Sequence, residues 1–192
     1  MKHWTLDDID WNRFEAGRVP SELARIIKAA ALFEHNGHDY GTYLRNVFAD
    51  DPAFREAATA WAEEEVQHGK ALARWATLAD PSWNFDVAFK RFVEGYKLPL
   101  DVTASVRGSR TSELVARCMV ETGTSSYYTA LAEAAGDHDR LVVATTLALE
   151  VVFKGAEVAG QVRAAEFVIE RGAADRAFEH DIERRGDAAR FA

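Results

Sequence analysis

Four stretches of this chain place apolar residues at alternating steps of three and four, and none shows the period-two alternation of a β-strand. Steps of three and four put side chains on one stripe of an α-helix. The stretches run from about residue 21 to 49, 52 to 79, 111 to 135 and 139 to 171. The pattern therefore predicts an all-α protein of four long amphipathic helices.

The breaks between these stretches predict how the helices are connected. Asp51 followed by Pro52 provides an N-cap and then a proline at the first helical position. Asp80 and the proline after it end the second helix. The connection that follows, residues 80–110, is long and contains a short amphipathic stretch at about 86–95.

A connection of about 30 residues can return along the whole length of a helical bundle. We therefore predict a four-helix bundle in residues 21–171, with a long crossover at 80–110 between helices 2 and 3. Residues 1–20 form an N-terminal aromatic arm, and residues 172–192 form a charged C-terminal segment. The whole chain is expected to fold as one domain.

The apolar stripes are interrupted near the middle of each helix by a carboxylate. A buried carboxylate without a counter-charge costs several kcal/mol or becomes protonated. Four at one level of a bundle would need a cation, and His68 lies one turn from one of them on the same helix face. Carboxylate oxygens together with imidazole suit iron or manganese. The sequence thus predicts a metal site formed by Glu34, Glu65, His68, Glu121 and Glu150.

The order of these residues resembles the ferritin-like di-iron carboxylate pattern, in which successive helices supply Glu, Glu-x-x-His, Glu and Glu-x-x-His. The stretches 61–68 and 120–128 especially resemble bacterial rubrerythrin-like proteins of unassigned role. The resemblance covers about residues 21–135. It implies a ferritin-like bundle, iron as the cofactor with one or two ions per chain (manganese also being open), and an oxidoreductase that reacts with oxygen or peroxide.

The resemblance also implies a role for each ligand. No four-cysteine rubredoxin-like domain is present, so electrons would come from a separate partner or from the substrate. The bridging or chelating carboxylates would be Glu65 and Glu121, one iron would be held by His68 and Glu34, and the other by Glu150.

One position departs from the pattern. The second histidine would fall at position 153, where this chain has Phe153. A phenyl ring donates no lone pair, so we expect one well-bound metal beside His68 and a weak or absent second one. Glu157 and His38 are the substitute ligands that the sequence leaves open.

Other residues on or near the stripes allow two interpretations. Gly37 and Gly41 flank the first carboxylate and indicate either close helix packing or a cavity beside the metal. Tyr128 is either a core tyrosine with a satisfied hydroxyl or a relay for protons or electrons. Arg107 and Arg110 are either solvated loop charges or ligands for an anion.

Composition and charge argue against several other classes of protein. The net charge of −8 argues against nucleic acid as a partner. The single cysteine, Cys118, allows no intrachain disulfide and no multi-cysteine metal site. No apolar run approaches a membrane span and no signal peptide is evident, so we expect a cytoplasmic protein.

Two alternatives to an oxidoreductase remain open. The first is an iron-binding or storage protein that uses the same site. The second is a non-catalytic helical scaffold that has lost part of its metal site, which the phenylalanine at position 153 favours. A homodimer, and oxygen or another small molecule as substrate, are the partners expected.

Overall fold

The computed structural model describes residues 4–134, and all regular structure in that part of the chain is helical. Three short 3₁₀ turns in the N-terminal arm precede five α-helices. These helices are α1 (Ser21–His35), α2 (Gly37–Val47), α3 (Pro52–Ala79), α4 (Phe85–Gly95) and α5 (Arg110–Ala134). The all-α prediction is confirmed for these residues. The predicted fourth long helix and the C-terminal segment lie outside them.

The first predicted helix is in fact two helices. α1 ends at His35, and Asn36 leaves the helical conformation, with its N–H bonded to the carbonyl of Phe33 at 3.2 Å. α2 then begins at Gly37. The single helix predicted over residues 21–49 is therefore corrected, and the break falls beside the predicted ligand Glu34.

Helix α3 starts and ends where the sequence indicates. The Asp51 carboxylate accepts a hydrogen bond from the backbone N–H of Phe54 at 2.9 Å, with Pro52 in the first turn. At the other end, Lys28 of α1 donates to Asp80 at 2.6 Å. This bond, with a smaller contribution from Ser82, lowers the pKa of Asp80 to about 2. The pair fixes the end of α3 against α1.

Two apolar clusters lie on either side of the predicted metal level along α3. One joins α1, α3, α5 and the arm, and the other joins α2, α3 and the start of α5. Buried members of the first include Trp4, Ile27, Leu72, Trp75 and Tyr128. Those of the second include Tyr40, Tyr43, Phe48, Trp61 and Leu114. Within residues 4–134, no helix is both long and apolar enough to cross a bilayer.

A buried carboxylate anchors the connection between α4 and α5. Glu113 accepts hydrogen bonds from the Tyr43 hydroxyl, the Ser105 hydroxyl and the Arg107 guanidinium, each at 2.8 Å. Burial alone would raise the pKa of Glu113, but these three hydrogen bonds outweigh it and hold the pKa below its ordinary value of 4.5. The connection between α4 and α5 is thereby joined to α2 and α5.

Arg110 forms a second anchor. Its Nε donates to the carbonyl of Val47 at 2.9 Å, and its guanidinium is paired with Asp50. Arg107 and Arg110 thus hold the end of this connection in place by ion pairs and hydrogen bonds within the chain.

Replacing Glu113 with glutamine is expected to lower the free energy of unfolding by about 2–3 kcal/mol at pH 7, because three hydrogen bonds lose their charged acceptor. The native pKa is below the unfolded one, so this contribution is complete above about pH 4.5 and is lost as the pH falls through the native pKa. Denaturant unfolding at pH 7 and at pH 3.5 should therefore show the difference shrinking in acid. Glu56→Gln, at an exposed position of α3, is the matched control. If the difference in unfolding free energy between the wild type and Glu113→Gln does not change with pH, the pKa of Glu113 is not lowered in the native state.

Candidate metal centre

Close approach of the backbones of α1, α2 and α3 creates the site. A Cβ added at Gly37 would lie 2.7 Å from the carbonyl oxygen of Ala62, and one at Gly41 would lie 2.6 Å from the Ala62 Cβ. A Cβ at Gly69 would lie 2.5 Å from the Cα of His35. Real Cβ atoms do not approach so closely, so only glycine permits this contact. The close-packing interpretation of Gly37 and Gly41 is the one that the structure supports.

Glu34, Glu65 and His68 converge at this contact. Each supplies one potential ligand atom, and the three atoms lie within 4.8 Å of one another. Their side chains are buried, with 6%, 4% and 0% exposed respectively. The Nδ1 atom of His68 lies 3.7 Å from Oε1 of Glu65, one turn apart on α3. Three buried donors from two helices could hold a metal ion.

The other predicted ligands are not part of this group of three residues. Glu121 is buried at 2% exposure on α5 and lines the same cavity as Glu34 and Glu65, although it is not within the 4.8 Å group. Glu150, and with it Phe153 and Glu157, lies outside the described residues. His38, one of the two substitutes, is exposed on α2 and is not in the group.

Tyr128 orients one of the candidate ligands. Its hydroxyl donates to Oε1 of Glu34 at 2.7 Å in a buried contact. The tyrosine hydroxyl is therefore satisfied, as the core interpretation requires, and its acceptor is a candidate ligand. Hydrogen bonds of this kind fix the direction of a ligating carboxylate and tune its basicity.

The N-terminal arm covers His68. The Trp4 ring stacks on the imidazole with centroids 5.8 Å apart and planes 6° from parallel. The carbonyl of Trp4 accepts a hydrogen bond from Gln67 at 2.6 Å, and Phe14 packs edge-on against Trp75 at 5.5 Å. Trp4 is the contact that sequence reasoning missed. The sequence shows that the arm is rich in aromatic residues, but it does not show that the arm packs against α3.

His35, next to Glu34, belongs to the packing around the site. Its ring meets the rings of Phe85 and Phe89 of α4 edge-on, at 4.9 and 4.7 Å. Burial, and then the positive charge of Lys70, lower the pKa of His35. Its contacts fix α4 against the end of α1.

A cavity of about 810 Å³ adjoins the candidate ligands. Carboxylates from three helices line it, together with a mostly apolar and aromatic wall. The charged lining residues are Glu34, Glu65, Glu121, Arg107 and Arg117. Much of the wall is formed by Phe33, Tyr40, Trp61, Tyr96, Leu98 and Met119. The arrangement places this cavity beside the group that could hold a metal ion.

Comparison with known proteins assigns no family to this geometry. No family model, no curated protein and no solved structure matches the chain. The ferritin-like resemblance thus depends on the residues and spacings given above, and it stays a prediction.

Proposed function

We propose that this chain is a ferritin-like metalloprotein with an iron centre, acting as a di-iron or partly degraded di-iron oxidoreductase on oxygen or peroxide. The observation that supports a metal most directly is the buried group of Glu34, Glu65 and His68 within 4.8 Å. Two carboxylates buried this closely are stabilised either by a counter-charge or by taking up a proton, and a metal ion supplies the counter-charge. Oxygen donors with one imidazole fit iron or manganese better than softer metals.

The residues of the chain have separate tasks in this proposal. Glu34, Glu65 and His68 would hold the first ion, and Glu121 would extend the site along the cavity. Iron bound there would supply one-electron chemistry toward oxygen or peroxide. Tyr128 keeps its proton directed at Oε1 of Glu34. The arm shields the imidazole from water, and the cavity leaves the carboxylate side open to a small molecule.

The full bundle belongs to the same proposal. Helices α1 with α2, α3 and α5 would be the first three members, and the apolar pattern at 139–171 would supply the fourth together with Glu150. The connection from residue 80 to 109 would be the long crossover. The absence of a histidine at position 153 favours an asymmetric site with its stronger ion beside His68.

Metal analysis of the purified protein tests this function. After anaerobic addition of Fe(II) or Mn(II) and removal of excess ion, we expect at least about one metal per chain by plasma emission spectroscopy. The iron form should then consume oxygen or peroxide at a rate that the metal-free form does not show. Substoichiometric metal would favour the scaffold alternative. A large hollow assembly that accumulates many irons per chain would favour storage.

Bound metal is also expected to stabilise the fold. A ligand that binds only the native state at 100 times its Kd adds about 2.7 kcal/mol to the free energy of unfolding. Calorimetry should therefore give a lower Tm after chelation at pH 7, and the original Tm after metal is restored. An unchanged Tm on complete removal of metal would contradict a cation that neutralises buried carboxylates.

A further inference from the structure

The cavity beside the carboxylates is lined by charged residues of both signs. Glu34, Glu65 and Glu121 are the acidic residues, and Arg107 and Arg117 are the basic ones. At about 810 Å³ it is within the range of small-molecule pockets, which run from about 300 to 1,000 Å³. Most of the remaining wall is apolar or aromatic, so an occupant would have a mainly apolar body.

Arg117 is the cation that remains available in this cavity. Glu113 is already hydrogen-bonded to Arg107 at 2.8 Å, and the Nε of Arg117 lies 3.9 Å from the same carboxylate, beyond hydrogen-bond distance. One carboxylate therefore faces two guanidinium groups, which leaves one net positive charge. The Nε of Arg117 is buried and has no hydrogen-bond partner among the described residues.

The side chain of Arg117 is held in place although its Nε–H makes no hydrogen bond to the described residues. Its guanidinium packs against the rings of Tyr40 and Trp61, at 5.1 and 5.3 Å from their centroids, and only 14% of its side chain is exposed. Because the Nε atom is itself buried, a ligand in the cavity would accept from the terminal nitrogens of this guanidinium.

We propose that the cavity binds a carboxylic acid with an apolar body, and that Arg117 binds its carboxylate. A planar guanidinium pairs with a carboxylate through two parallel hydrogen bonds. One guanidinium that is not neutralised by Glu113 suits a monoanion better than a phosphate dianion, because the three carboxylates of the cavity repel a dianion more strongly. Binding of the acid depends only on the cavity. Whether the bound acid is a substrate of the metal centre rests on the proposed function.

The location of Arg117 would place the head of such a ligand near Glu121. Arg117 and Glu121 are four residues apart on α5, so their Cβ atoms are about 6 Å apart along one face. Carbons next to the carboxylate would then lie close to Glu121, which lines the cavity together with Glu34 and Glu65. The apolar tail would extend along Phe33, Tyr96 and Met119.

Calorimetric titration with three probes that share a ten-carbon chain tests the inference: decanoate, 1-decanol and decyltrimethylammonium. On the wild-type protein, with and without metal, decanoate should bind about tenfold or more tightly than decanol. Arg117→Gln should remove that advantage while decanol binding is unchanged, and Arg117→Lys should keep part of it. Arg91→Gln, at an exposed position of α4, is the control.

Equal affinity for decanoate and decanol in the wild-type protein would overturn the inference, and this comparison needs no variant. Tighter binding of decyltrimethylammonium, or decanoate binding insensitive to Arg117, would overturn it as well. Metal content is measured on the same samples. If the protein binds decanoate selectively but holds no metal, the inference stands and the proposed function is refuted. If it holds stoichiometric metal but does not prefer decanoate over decanol, the proposed function stands and the inference is refuted.

Discussion

His68→Ala is expected to remove most metal binding, with the affinity falling by about 100-fold or more. Substitution of residues that merely support a ligand already costs about 10- to 100-fold, and His68 is the nitrogen donor of the buried group. Its imidazole is fully buried between Glu65 and the Trp4 ring, so no solvent-exposed side chain can take its place without rearrangement. The loss should therefore appear as reduced occupancy by the stronger of the two ions.

His38→Ala is the matched control, because it makes the same chemical change at an exposed position of α2, outside the metal-binding group. Both variants are titrated with Fe(II) and Mn(II), and metal per chain is measured after removal of excess ion. Unfolding in the presence of a chelator separates the metal effect from the lost stacking on Trp4. Wild-type occupancy in His68→Ala would refute the site, and a large loss in His38→Ala would implicate the substitute ligand instead.

Gly69→Ala is expected to destabilise the protein by up to about 2 kcal/mol and to weaken metal binding together with it. Overpacking of a core costs about 1–3 kcal/mol, and alanine returns about 1 kcal/mol of helix propensity. The obstacle here is the backbone of His35, which cannot rotate away as a side chain can, so α1 must move from α3. Glu34 lies next to His35, so this movement separates it from Glu65 and His68.

Gly123→Ala is the control, since a Cβ at that position of α5 meets nothing within 4 Å in residues 4–134. It should stabilise the protein by up to about 1 kcal/mol through helix propensity alone. Denaturant unfolding in chelator measures the packing effect, and metal titration of the same variants measures the effect on the site. If Gly69→Ala behaves like Gly123→Ala in both measurements, the close approach does not create the site.

The helical class of the described residues and the alignment of Glu65 with His68 followed from the sequence, because both depend on the period of a helix. The same reasoning applies to the cap of α3, where Asp51 and Pro52 act on adjacent backbone groups. It also placed Glu34, Glu65 and Glu121 at buried stripe positions. These are local properties, and local spacing determines them.

Contacts between distant segments were decided only by the tertiary structure. The break at Asn36, the contact of Gly69 with His35 and the stacking of Trp4 on His68 each depend on which helices meet and how closely. Arg107 and Arg110 could be read from the sequence as solvated charges, yet each is held by an acidic partner. Periodicity specifies the face on which a side chain lies, whereas the identity and distance of its partner depend on packing across the whole chain.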